Sequence, residues 1–391
     1  MAENDLEKAR KAAVKSVEAK SVETEKKNAN AKPKVVLVLQ GGGALGAYHI
    51  GALQAMVEKN ITADWVSGIS IGAINAAVIA GNEPKNQLSA LEKLWDTISW
   101  PISITPEAPL WMRRAFNSFS NGMALMFGQP GFFYPRLLNP MLWQHASPDQ
   151  LSFCDTAPLL NTLAQLSDFE RINQQKTRLS LGATSVSTGE LVFFDNKTQQ
   201  LNPHHVLASG SLPPGFPATE IDGQWYWDGG CVSNTPLAAI MDDLPDQDTL
   251  VLMVDLWQGA ADLPTTMDGV TWRSKQIQYA SRTSKNIEDN VRHYNAMSSL
   301  HKAHQQGHVD IATLPVSADK LLRYRHALDI VHITYRPSAD QISSSDAEFS
   351  RSSIAERRAA GYVDMKSALE LWQADRERKK TLACHLYKQA A

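Results

Sequence analysis

The sequence predicts an α/β fold built on a mainly parallel sheet, and three observations lead there. Val35 to Leu39, in "VVLVLQGGGALGAY", form an unbroken apolar run of the kind that makes a strand covered on both faces. Strand-like and helix-like stretches then alternate up to residue 80, the order that joins parallel strands through crossover helices. Glycines close both early strands abruptly. At 391 residues and 43% hydrophobic content the chain suits one large α/β domain with an appendage, or two modest domains.

Taken in order, residues 1–33 are rich in Ala, Lys and Glu, bury too little apolar surface to offset ordering entropy, and are expected to form a disordered or loosely helical tail. The strand at 35–39 opens a domain expected to run over 34–257. A helix follows at "GALQAMVEKN" and a short strand ends in "VSGISIGAINAAV", whose Ala/Ile/Val run makes a second helix. Further strands are expected at 178–186, 191–195 and 249–256, with Asp228 in a turn-rich segment after "GQWYW". Beyond 258 the texture changes to longer polar helices around a strand-like "ALDIVHITY". Residues 258–391 therefore read as a helix-rich extension packed on the first domain.

The formal charge of -3 gives no global electrostatic reason for a nucleic-acid partner. Cys154, Cys231 and Cys384 are widely spaced and form no CxxC pair, which suggests neither a disulfide framework nor a zinc site. The N-terminal stretch lacks the apolar core of a signal peptide, and no run of eighteen apolar residues follows. A cytoplasmic protein, peripheral at a membrane at most, is expected.

Three short stretches carry the chemistry: "GGGALG" at 41–46, "GISIG" at 68–72 and "DGG" at 228–230. A serine on a sharp strand-to-helix turn holds its hydroxyl clear of the sheet, and Gly68 and Gly72 let the chain approach without a Cβ clash, so Ser70 reads as a nucleophile elbow. Gly41, Gly42 and Gly43 can expose successive N–H groups beside a helix start, which suits a developing oxyanion. Gly41, Gly43 and Gly46 also fit a dinucleotide fingerprint. That rival lacks its acidic ribose partner, since Asp64 precedes the second strand where it should follow it. A hydrolase needs a base, and none of the eleven histidines lies in a stretch that marks it as one. Asp228, ahead of Gly229 and Gly230, could face the serine directly or merely cap a turn.

Glycine loop, GxSxG and DGG, in that order and with "LASGSLPPGFPATEIDGQWYWDGG" (207–230) leading to the aspartate, resemble the patatin-like phospholipase family over roughly residues 35 to 257. The resemblance implies a three-layer α/β/α sandwich and a Ser70–Asp228 dyad. Gly41, Gly42 and Gly43 would form the oxyanion hole, supported by Gly46, Gly68, Gly72, Gly229 and Gly230, with no cofactor and no metal. The implied reaction is serine-dependent hydrolysis of lipid carboxylic esters through an acyl-enzyme. A carboxylesterase or polyester hydrolase would use the same machinery, and a nucleotide- or lipid-binding scaffold would share the fold with an inert serine. Many members carry a basic residue where this chain has Leu45, so the glycine loop is not expected to grip a phosphate.

Two further patterns bear on partners. Met112, Phe116, Phe119, Met123 and Met126 recur at helical spacing beside Arg113 and Arg114. A lid touching an anionic membrane surface would show this pattern, but a core or acyl-pocket helix is the preferred expectation. His293, His301, His304 and His308 would fall within roughly 80° of one another on a single helix. A solvated polar face is expected there before a metal site.

Overall fold

The computed structural model describes residues 32–142, 145–280, 283–309, 321, 323–376 and 383–389. The tail expectation for 1–33 lies outside these residues except for Lys32 and Pro33. Eleven short strands are present: β1 (Lys34–Leu39), β2 (Trp65–Ile69), β3 (Tyr134–Pro135), β4 (Cys154–Asp155), β5 (Arg178–Ser185), β6 (Leu191–Asp195), β7 (Thr219–Ile221), β8 (Gln224–Asp228), β9 (Thr249–Asp255), β10 (Leu328–Thr334) and β11 (Cys384–Lys388). Nine of them form one sheet in the order β11-β10-β9-β1-β2-β5-β8-β7, with β6 also paired to β5. From β11 across to β5 every pairing is parallel. The pairings of β6 and β8 with β5, and of β7 with β8, are antiparallel.

Side-chain alternation along the central strands splits the core in two. Leu37 and Leu39 of β1, with Leu250, Leu252 and Val254 of β9, face one cluster, built with the helices Tyr48–Glu58, Ile71–Ala80 and Arg351–Arg376. Val36, Val38, Val251 and Met253 face the other, with Leu237, Ile240, Ile287 and Tyr294 of the helices Leu237–Asp242 and Thr283–Gln305. The result is the expected three-layer α/β/α arrangement. All ten residues of Ile71–Ala80 are buried, which explains why that helix is apolar on every side.

The residues after 258 do more than add helices. β10 and β11 extend the central sheet from β9, and the helix Arg351–Arg376 crosses Tyr48–Glu58 at backbone contact. A Cβ on Gly51 would lie 1.9 Å from the Arg358 carbonyl oxygen, and one on Gly361 would lie 2.1 Å from that of Tyr48.

Of the core or acyl-pocket helix expected at 112–126, the core half is not met, while Leu125 of this helix lines a cavity. In the helix Leu110–Phe127 the buried side is Asn117, Ser120, Asn121 and Ala124, while Trp111, Met112, Phe119, Leu125, Met126 and Phe127 are exposed. Polar anchoring explains the inversion: Asn117 Nδ2 donates to the Asp340 carbonyl at 3.2 Å and Arg114 to that of Ala339 at 2.7 Å. Arg113 pairs with Asp340 at 2.8 Å and Glu356 at 2.9 Å. The histidine stripe does not lie on one helix either, since the helix ends at Gln305 and Gly307 turns the chain at φ 74° before His308. His293 meets the Tyr324 hydroxyl, and His304 the Val309 carbonyl.

Candidate active site

Strand register brings the three sequence stretches together. Leu39, the last residue of β1, pairs with Gly68 of β2 and Val254 of β9, so the glycine loop, the turn at Ser70 and the segment Leu256–Trp257 all leave the sheet at the same edge. The chain passes from β1 to β2 on one side, while β9 pairs on the other. Clefts form at such switch points in open parallel sheets. β5 supplies the last alignment. One of its edges is occupied by β6, and the other passes from β2, ending at Ile69 opposite Gly182, to β8, starting with Asp228 opposite Ala183. Adjacent positions on one strand edge thus hold the residue before Ser70 and Asp228 itself.

Ser70 sits at φ 57°, ψ -127°, outside the regions that side-chain-bearing residues favour. Such backbone costs on the order of 1–3 kcal/mol and persists only where the surroundings enforce it. Here the enforcement is visible. A Cβ on Gly68 would meet the Gly72 carbonyl oxygen at 2.2 Å, and one on Gly72 would meet that of Leu39 at 2.2 Å, so the turn folds backbone on backbone. The Ser70 N–H donates to the Ser209 carbonyl and side-chain oxygens, both at 3.1 Å, and Ser209 Oγ in turn donates to the Gly182 carbonyl at 2.5 Å. Gly46 packs under Ile71, and Gly229 against the Gly182 carbonyl.

Asp228 closes β8 and is 1% exposed. Oδ1 accepts from the Gly230 N–H at 2.7 Å. Among the described residues Oδ2 has no hydrogen-bond partner within normal geometry. Burial pushes the carboxyl pKa up to about 7, against the opposing pull of the Ser70 hydroxyl and the Gly230 N–H. Burial and the neighbouring Asp228 raise the Cys231 thiol to about 11, which leaves it protonated and unreactive near neutrality.

In the glycine loop, the Gly41 N–H donates to the Asn234 carbonyl at 3.2 Å and is thereby committed. Those of Gly42 and Gly43 find no acceptor among the described residues. Gly43 takes φ 54°, and a Cβ there would fall 2.2 Å from the Asp346 carbonyl oxygen. Leu45 is wholly buried, so no side chain at that position reaches the cleft.

Ser70, Asp228, Gly42 and Gly43 line a cavity of about 350 Å³. Its apolar wall includes Ile74, Leu125, Phe132, Phe133, Leu212 and Phe216. Among the described residues no histidine, lysine or arginine lines it; its charged groups are Asp228 and Asp346, the latter paired with Lys275 at 2.7 Å. Asn234, Trp257, Tyr279, Asp346 and Phe349 also line it, and sequence reasoning marked none of them. Asn234 had a signal, a polar residue six positions after Asp228 in "DGGCVSNTP", whereas the others become neighbours only through pairing of distant strands.

The patatin-like phospholipase model matches residues 37–241, more than half of the chain, and a second model described as patatin phospholipase matches 277–381. Neuropathy target esterase sws of Drosophila melanogaster is 57% identical over 103 residues, covering 26% of this chain, and that of Drosophila erecta matches to the same extent. The chain spans 6% of the length of these relatives. Among solved structures, VipD from Legionella pneumophila overlaps 87% of this chain and 67% of its own at 16% identity and a TM-score of 0.39. Human GIVD cytosolic phospholipase A2 overlaps 88% and 58% at 11% identity and 0.35. Structural overlaps this weak carry no functional argument. The first family model spans the glycine loop, the Ser70 elbow and Asp228 together, and by that match the chain belongs to the patatin-like phospholipase family of lipid hydrolases.

Proposed function

We infer that this chain hydrolyses carboxylic esters of lipids through a Ser70–Asp228 dyad. Ser70 Oγ attacks the ester carbonyl carbon as Asp228 takes its proton, and the negative charge on the carbonyl oxygen is met by the N–H groups of Gly42 and Gly43. Collapse expels the alcohol, which receives the proton from Asp228 and leaves an acyl group on Ser70. Water then attacks that ester, again losing a proton to Asp228, and collapse breaks the acyl–Oγ bond as Asp228 returns the proton to Ser70, releasing the fatty acid. A carboxyl group with a pKa near 7 suits both halves of this cycle, because it accepts a proton readily at neutral pH and returns it.

The observation that carries this reading is the strained Ser70 beside a buried carboxylate in a cavity without a lining histidine. The apolar wall suits an acyl chain. No basic residue lines the cavity among those described, so nothing within it selects a phosphate, and simple carboxylic esters remain substrates of the same machinery. Membrane contact would use the exposed apolar side of Leu110–Phe127, whose Leu125 also lines the cavity, continued by Leu137, Leu138, Met141 and Leu142. Arg113 is held by Asp340 and Glu356, so that contact would be apolar in character more than cationic.

The test is hydrolysis of short p-nitrophenyl esters and a lipid panel by the wild type and Ser70→Ala. Loss of turnover in a folded Ser70→Ala protein is expected; persistent turnover would place the nucleophile elsewhere.

A further inference from the structure

One carbonyl in the glycine loop is held more firmly than its neighbours. The Gly41 oxygen accepts from Asn234 Nδ2 at 2.7 Å and from Trp257 Nε1 at 2.8 Å, so both of its lone pairs are used. Each donor is itself fixed. Asn234 is 8% exposed, and its backbone carbonyl accepts the Gly41 N–H. Trp257 is 3% exposed, its ring centroid lies 5.3 Å from that of Trp272 and 5.0 Å from that of Tyr279, and its backbone N–H donates to Gln40 Oε1 at 3.1 Å.

A trans peptide is planar, with its C=O and N–H directed to opposite sides. Holding the Gly41 carbonyl with two donors therefore fixes the direction of the Gly42 N–H, and Gly42 lines the cavity. A loop of three glycines has little conformational preference of its own. Without outside restraint this peptide could rotate and aim its carbonyl, a negative group, where the oxyanion forms. Electrostatic stabilisation depends on donors already oriented before charge develops.

We propose that Trp257 and Asn234 are positioning residues that clamp the Gly41–Gly42 peptide and thereby orient the Gly42 N–H as an oxyanion donor. The inference rests on the ester-hydrolase reading of the site. It assigns a role to a tryptophan that lies beyond the span of the matching patatin-like model, two residues past the end of β9.

Trp257→Phe keeps an aromatic ring against Trp272 and Tyr279 while removing the donor, and Asn234→Ala removes the other donor while keeping the backbone bond to Gly41. Each is compared with wild type for kcat and KM on a p-nitrophenyl ester. Each is also tested for inhibition by an alkyl trifluoromethyl ketone, which becomes an oxyanion on Ser70, and by a fatty alcohol of equal length, which does not. Loss of one direct oxyanion donor lowers kcat by about 10²–10³-fold, so loss of half the clamp is expected to lower it about tenfold. KM and the alcohol constant should stay within about twofold, and the ketone constant should rise by the same factor as kcat falls. Because both residues act on one carbonyl, the double variant should depart from the product of the single effects. A fall in kcat without a matching rise in the ketone constant, or no fall in either variant, would overturn the clamp while leaving the hydrolase reading intact. Absence of turnover in the wild type would instead remove the reading on which the clamp rests. Where Trp257→Phe does not fold, Asn234→Ala carries the same comparison alone.

Discussion

Two of the walls of the cavity at Ser70 are built differently. One is backbone: Gly42, Gly43, the turn at Ser70 and the end of β8 at Asp228, each specified by a short stretch of sequence. The other is made of side chains from after residue 256: Trp257, Tyr279, Asp346 and Phe349, carried on elements that β9 and β10 bring alongside. The contrast shows that the chemistry is encoded locally, while its support is encoded by topology. Arg357 illustrates the second kind. Its guanidinium is almost wholly buried and donates to the carbonyls of Ala44, Ser345 and Glu348, tying the glycine loop to the C-terminal segment from 313 residues away.

Variants on the two walls should therefore fail in different ways. Ser70→Ala is expected to lower kcat by roughly four to six orders of magnitude with the denaturation midpoint close to that of the wild type. Arg357→Met should do the reverse. It leaves three buried carbonyls and Glu348 without their cation, a loss of about 3–5 kcal/mol by analogy with broken buried pairs, read as a lower denaturant midpoint at an unchanged m-value. Equal stability losses in both variants would erase the distinction.

This difference also explains what the sequence made legible. β6 falls on 191–195 as expected, and β5 and β9 each end one residue before their expected limits, because apolar runs bounded by turn residues carry local signals. The glycine loop and the turns at Ser70 and Asp228 were legible as short stretches, whereas a role for Asp228 beside Ser70 was expected only from the family resemblance, the stretch alone leaving a turn cap open. Asn234 and Trp257 were not, since what matters about them is a shared carbonyl that exists only once β1 and β9 pair. The core reading of the helix Leu110–Phe127 failed because spacing reports that one side is apolar and says nothing about which side meets protein. Asp340 and Ala339, more than two hundred residues on, decide that Asn117 and Arg113 face inward and tie down Arg114, which stays exposed.

Changes on the exposed side of Leu110–Phe127 should have smaller effects on the chemistry. Replacing Phe119 and Met126 by serine is expected to lower co-sedimentation with phosphatidylcholine vesicles several-fold while hydrolysis of a soluble ester holds. Binding that needs anionic lipid and vanishes at high salt would contradict an apolar contact.

A separate effect concerns stability against pH. Asp228 loses its proton near 3.8 in the unfolded chain but near 7 when folded, so between those values the folded state holds the extra proton and stability falls as pH rises, levelling above about 7. Asp228→Asn has no such proton to lose, and its midpoint should gain on that of the wild type from pH 4 to pH 7. A constant gap across that window would mean the carboxyl is not perturbed.

The central claim is that Asp228, with no histidine, activates Ser70. Its direct test is the rate at which a fluorophosphonate labels Ser70, mapped by peptide mass, in Asp228→Asn and in alanine variants of each of the eleven histidines. The dyad predicts that the asparagine variant labels at least about a thousandfold more slowly and that every folded histidine variant stays within about tenfold of the wild type. Near-normal labelling in Asp228→Asn, or a folded histidine variant as unreactive as Ser70→Ala, would contradict it.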